Sequence, residues 1–201
     1  MIFNFTQKHQ FSSRITIENE KLVLVKQAKL LGIIITDDLK WNQNTSHLVK
    51  RANARMEILR KLSSFKPPLE DMKTIYILYI RSILEQSSVI WHSSLTEENR
   101  ADLERVQKNA LRNILKEDYI DYNSALQRLN LETLEKRREQ LLVRYGKQCL
   151  KLEQTKNLFP LNSTEHIMNT RQHKKYKETQ CNTERLKKST IPYLQCLMNR
   201  C

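Results

Sequence analysis

The chain has 201 residues, enough for one domain with a tail, and its 39% of hydrophobic residues can build a core but not a membrane protein. Two glycines and four prolines exclude collagen-like, linker-rich and turn-dense all-β chains, and favour helices. Thirty-five Lys and Arg against 22 Asp and Glu leave a net charge of +13, a surplus that suits a polyanionic partner such as nucleic acid.

Residues 1–41 read as strands. The start, Met1-Ile2-Phe3-Asn4-Phe5, turns polar too quickly for a secretory signal. Arg14-Ile15-Thr16-Ile17-Glu18 alternates polar and apolar with the period of a strand. Asn19-Glu20-Lys21 predicts a turn, because Asn tolerates the left-handed region, and Leu22-Val23-Leu24-Val25 returns. Ala28 to Thr36 reads as a third strand, with Gly32 marking a bulge or a close backbone approach. Asp37-Asp38 ends it. Three strands make a sheet fragment rather than a closed fold.

From Asn42 the period becomes helical. Leu48, Ala52, Met56, Leu59 and Leu62 form one stripe, and Asn44 or Thr45 is placed to cap its start. Pro67-Pro68 stops this helix. A second helix is predicted from Leu69 to about Trp91, with Met72, Ile75, Tyr76, Tyr79, Ile80, Ile83 and Leu84 making it the most buried. A third starts after Thr96, with Glu97 and Glu98 favoured by the helix dipole. A short helix follows over Asn123–Leu129. A long one runs from Glu132 to about Leu152, with Leu134, Leu141, Leu142, Tyr145, Cys149 and Leu152 facing inward.

Beyond Glu153 the pattern dissolves, and residues 153–201 are expected as a basic, mostly extended tail. Ile191-Pro192-Tyr193-Leu194 and Leu197-Met198 form a last apolar cluster. Cys149, Cys181, Cys196 and Cys201 lack a C-x-x-C pair and are expected as free thiols. His166, His173, Cys181 and Cys196 are too widely spaced for a closed zinc site. No cofactor or metal is expected.

The sequence carries no nucleophile elbow, no phosphate-cradling glycine loop and no H-E-x-x-H. Asp37-Asp38 resembles a metal-binding carboxylate pair, but a strand-end turn accounts for it more simply. His47 and His92 lack an evident base or nucleophile partner and suit solvated or capping roles.

Charge is concentrated in residues 42–66 and 153–201, each with a balance of +5, whereas residues 67–152 carry only +1. Lys50, Arg51, Arg55, Arg60 and Lys61 share the first helix, with Arg55 nearly on the apolar stripe. Such a segment is either a solvated face with an internal ion pair or a contact to a nucleic-acid backbone. The tail adds Arg171, Lys174, Lys175, Lys177, Arg185, Lys187 and Lys188, with Tyr176 among them.

The order of these pieces carries a resemblance. Ala28-Lys29-Leu30-Leu31-Gly32-Ile33-Ile34-Ile35 leads to Asp38-Leu39-Lys40-Trp41, then Val49-Lys50-Arg51-Ala52-Asn53 and Leu59-Arg60-Lys61-Leu62. Tyr79-Ile80-Arg81-Ser82-Ile83-Leu84-Glu85, Val89-Ile90-Trp91, Leu103-Glu104-Arg105-Val106-Gln107-Lys108 and Leu134-Glu135-Lys136-Arg137-Arg138 follow. This resembles the C-terminal part of reverse transcriptases from non-LTR retrotransposons of the LINE or jockey type. The resemblance implies a primer-grip region at Leu30, Leu31 and Gly32, and a thumb from Asn44 onward that tracks a template–primer duplex. The family's paired palm aspartates would lie upstream of Met1, and Asp37-Asp38 does not match their motif. Residues 36–62 also resemble the short N-terminal segment of an AlkB homologue that modifies tRNA, without iron ligands or a methyl-donor loop.

The expected fold is mainly α with a small N-terminal β-hairpin or three-stranded sheet fragment: strands over 1–41, a helical thumb-like region over 42–152, and the tail. The expected function is a catalytically incomplete fragment of an RNA-directed DNA polymerase, intracellular (cytoplasmic or nuclear). It would bind RNA or DNA template–primer duplex through its backbone, and a palm domain would precede it in a longer parent. The alternatives are a helical protein–protein module that uses residues 69–91 and, less favoured, an AlkB-linked enzyme segment.

Overall fold

The structure is a computed structural model that describes residues 16–162 and 175–200. It is mainly helical with small antiparallel β-ladders near the N-terminus, as the composition predicts. Arg14, Ile15, His166, Arg171, His173, Lys174 and Cys201 lie outside the described residues. The chain forms two compact units, one from residues up to 84 with 95–114, the other from 85–94 with 115 onward.

The first unit opens with β1 (Thr16–Ile17) and β2 (Glu20–Lys21), paired antiparallel around Glu18 and Asn19. Both turn residues have positive φ, which Asn accepts more readily than most residues. The predicted third strand is instead a hairpin of β3 (Gln27–Leu30) and β4 (Ile33–Thr36), with Lys29 opposite Ile34 and Leu30 opposite Ile33. Leu31 at φ 48° and Gly32 at φ 84° form its turn. Two consecutive positive φ angles are the conformation that reverses a chain in two residues, so Gly32 marks a turn and not a bulge. The three-stranded fragment is therefore two separate two-stranded ladders.

Helix α1 (Asn42–Ser63) buries Leu48, Ala52, Met56 and Leu59 against β4, the following helix and its continuation. Its start is not capped by Asn44 or Thr45. Trp41 precedes the helix without a side-chain cap, and Asn44 is spent on the strand, its Oδ1 accepting the Ile34 N–H at 3.1 Å. After Pro67-Pro68, α2 (Leu69–Ile75) widens into a π-helical segment (Tyr76–Arg81) and resumes as α3 (Ser82–Glu85). Tyr76 and Ile80 are buried, and the Tyr76 hydroxyl donates to Gln107 Oε1. Gln107 lies on α5 (Glu97–Leu115), where Thr96 Oγ1 accepts the Asn99 N–H as the sequence predicts.

The predicted second helix does not reach Trp91 unbroken. Ser87, at φ 51°, interrupts it, and α4 (Ser88–Trp91) follows in the second unit with a 3-10 turn, His92–Ser94. The rest of that unit holds α6 (Tyr122–Arg128), capped by Asp121, and α7 (Leu134–Cys149), capped by Thr133. Tyr145 and Leu152, predicted to face inward, are exposed; Leu134, Arg138, Leu142, Gly146 and Cys149 carry the buried stripe.

The expected extended tail contains α8 (Glu153–Lys156), α9 (Glu184–Lys187) and α10 (Thr190–Met198). Pro192 fits in the first turn of α10, where the missing N–H has no helical acceptor to lose. Leu194 packs with Leu142, Cys149, Phe159 and Tyr176 in one core cluster. The segment between is tied down as well: Tyr176 N–H donates to Asn199 Oδ1 at 2.9 Å and Thr179 N–H to Gln195 Oε1 at 2.8 Å. The period was illegible because this packing is assembled from single apolar residues spaced far apart. Among the described residues, no helix is long and apolar enough to cross a membrane.

Candidate nucleic-acid interface

Helix α1 positions all five sequence-predicted cations. Lys50, Arg51, Arg55, Arg60 and Lys61 are exposed. Arg55 is exposed rather than buried, although at about 100° per residue it falls close to Leu48 and Leu59 on the helix surface. At about 100° per residue, Arg51 and Arg55 share one flank while Lys50 and Lys61 share the outer face. Lys50 and Lys61 are separated by about 16 Å of helix axis. The five therefore spread over the solvent arc instead of converging on a point.

Glu57 is the single carboxylate of this helix, and Arg60 lies 3.5 Å from its Oε2. Both partners are solvated, so this pair constrains Arg60 only weakly. The solvent arc keeps a strong positive balance.

A further cation joins from the hairpin. Lys29 stands opposite Ile34 in the ladder, and Ile34 is bonded to Asn44 in the first turn of α1. His47 is one turn beyond Asn44, and Lys50 and Arg51 one turn beyond His47. Burial, followed by the nearby charges of Lys29, Arg51 and Lys50, holds the His47 imidazole below its usual pKa. His47 is thus half-buried rather than solvated or capping, and its Nε2 is enclosed with no hydrogen-bond partner among the described residues. Lys29 was missed from sequence because its place depends on the turn at Leu31-Gly32.

The predicted primer-grip residues sit at this hairpin's tip. Leu30 and Leu31 are exposed, Leu31 by 88%, and Gly32 completes the turn. Asp38, the second of the paired carboxylates, is engaged locally. It accepts from the Thr36 hydroxyl at 2.7 Å and the Lys40 N–H at 3.0 Å, with Lys40 Nζ at 3.6 Å. The Thr36 hydroxyl is the main reason its carboxyl lies below the usual range, followed by the Lys40 amide. The geometry is that of a strand-end turn.

His92 does not cap a helix in solvent. It is fully buried in the second unit, where its Nδ1 accepts from Arg138 Nε at 3.3 Å. Cys149 is a buried free thiol, and Cys181 and Cys196 are half-exposed ones. No group of three or more His, Cys, Asp or Glu side chains arranged to hold a metal occurs among the described residues.

No family model matches this chain, and no curated protein or solved structure is significantly similar to it.

Proposed function

We propose that this chain grips the backbone of a nucleic-acid duplex through α1, as the non-catalytic rear part of a retrotransposon-type RNA-directed DNA polymerase. One observation supports the grip above all: five exposed cations and a single carboxylate on one 22-residue helix. Contacts of that kind neutralise phosphates without reading bases, so affinity is sequence-independent and falls steeply with salt. The ordered resemblance to the thumb region supplies the polymerase part of the reading.

A salt titration of binding to an RNA–DNA hybrid tests it. The logarithm of the binding constant should fall with the logarithm of salt, with a slope of about −0.9 for each phosphate neutralised. Replacing Lys50 and Lys61 by Ala should lower that slope by about two. Absence of binding at low salt refutes the proposal.

A second reading is favoured by the π-helical segment. Leu78 and Tyr79 are exposed there, by 61% and 51%. Such apolar exposure suits a protein partner. Sedimentation separates the readings: a stable oligomer without duplex affinity supports a protein–protein module.

A further inference from the structure

Lys29 of the hairpin and Lys50 and Arg51 of α1 lie near one titratable group, His47. The ladder sets Lys29 opposite Ile34, and the bond from Ile34 N–H to Asn44 Oδ1 pins that rung to the first turn of α1. His47 follows Asn44 by three residues, and Lys50 and Arg51 follow His47 by three and four. That spacing places successive side chains on adjoining parts of one helix face. Lys29, Lys50 and Arg51 are exposed, whereas His47 Nε2 is enclosed. The cations can therefore reach a ligand in solvent, and His47 can sense its charge from behind them.

We propose that Lys29, Lys50 and Arg51 hold one backbone phosphate of the bound strand beside His47, and that this phosphate and a proton on His47 are bound together. The inference rests on the duplex-binding function proposed above and adds a residue, Lys29, and a coupling to it.

The electrostatics support the coupling. Among the described residues, the charged groups acting on His47 are Lys29 from β3 and Arg51 and Lys50 from α1, all positive. Strand β4 offers no ionisable side chain, and α2 and the π-helical segment, which also pack on α1, add none to those acting on it. In the free protein these cations and burial oppose protonation. A phosphate seated among the cations cancels much of their field and favours the imidazolium. By linkage, whatever raises the proton affinity of His47 on binding makes the complex tighter as pH falls. An upward move of one pH unit in the His47 midpoint corresponds to about tenfold tighter binding below both midpoints than above them.

The test follows the imidazole signals of the full chain by NMR between pH 5 and 8, with the His47 signal assigned by its loss in His47→Gln. The titration is run free, with an RNA–DNA hybrid at low salt, and with phosphatidylserine vesicles. The expected result is a rise of the His47 midpoint with the hybrid and several-fold tighter hybrid binding at pH 6 than at pH 8. His47→Gln should abolish that pH dependence. Lys29→Ala should weaken binding about as much as Lys50→Ala and lower the salt slope by about one. Binding of the hybrid with an unmoved His47 midpoint overturns the phosphate site and leaves the duplex reading intact. Failure of the hybrid to bind at low salt refutes both. A His47 response to vesicles alone overturns the inference in favour of a lipid surface.

Discussion

Arg138 donates from Nε to Nδ1 of His92 across 3.3 Å, in a place where both side chains are fully withdrawn from solvent. The guanidinium also lies 5.8 Å from the ring centroid of Trp91, itself fully buried. An acceptor Nδ1 places any single ring proton on Nε2, so the contact selects the neutral imidazole tautomer that has its hydrogen there. The ring further meets Tyr193 edge-on at 6.4 Å, which joins α10 to the same group.

Replacing Arg138 by Ala removes the donor, leaves a cavity over Trp91 and strands His92. The loss should be on the order of 3 kcal/mol. Arg137→Ala is the control: Arg137 lies partly in solvent, 3.2 Å from Glu85, and its loss should be about 1 kcal/mol or less. Urea melts of the two variants followed by Trp fluorescence measure the difference.

At the hairpin tip, Leu31 adopts φ 48° with its side chain 88% exposed, which is a poor use of leucine. Leu31→Asn should stabilise the turn by about 0.5–1 kcal/mol, because Asn-Gly is the preferred pair for this conformation. Gly32→Ala, at φ 84°, should lose about 1–2 kcal/mol. Amide exchange at Leu30 and Ile33 reports both changes.

Gly146 provides the notch that α10 occupies. A Cβ there would come within 2.6 Å of Met198 Sδ and 3.1 Å of both Leu194 methyl carbons. Gly146→Ala should destabilise the docked helix by about 1–3 kcal/mol despite the better helix propensity of Ala. Adding Met198→Ala should recover part of that loss, since it removes the nearest obstacle. Thermal melts of the single and double variants, with the Met198 variant as reference, check the coupling.

The depressed His47 pKa has a consequence for the free protein. The unfolded chain binds this proton more readily than the folded one, so stability rises with pH between the folded midpoint and the ordinary value. The stabilisation is present above the ordinary pKa and is lost as pH falls through the folded one. The melting temperature of the wild type should therefore drop more between pH 7 and pH 5 than that of His47→Gln. Parallel melting curves across that range would contradict the assignment.

Glu57→Ala should tighten duplex binding about two- to fivefold at low salt, by releasing Arg60 and removing the one anion of α1. The gain should vanish as salt is raised, which isothermal titration at two ionic strengths can show.

What could be read from the chain follows from how local each signal is. The stripe of Leu48, Ala52, Met56 and Leu59 and the cap at Thr96 depend on residues within about three turns, and both stand in the structure. The hairpin of β3 and β4 was hidden because Leu31 is an unusual turn residue and Gly32 alone is compatible with a continuous strand. Arg138 was hidden for a different reason. Its charge marks it for solvent, and only its position four residues from both Leu134 and Leu142 places it on the buried stripe. For the candidate interface, the five cations of α1 are plain in the sequence, whereas Lys29 reaches them only through a tertiary bond from Ile34 to Asn44.

The second unit draws on residues 85–94 and then on nothing before residue 115. Thr190 Oγ1 lies 3.1 Å from the Val89 carbonyl oxygen, a contact between residues one hundred and one positions apart. A ribosome needs on the order of ten seconds to travel that distance. During that time Trp91 and His92 have left the exit tunnel while α10 is still unmade. Nascent chains of this protein should thus present an aromatic, chaperone-attracting stretch late in translation, and stalling before Thr190 should leave it uncovered.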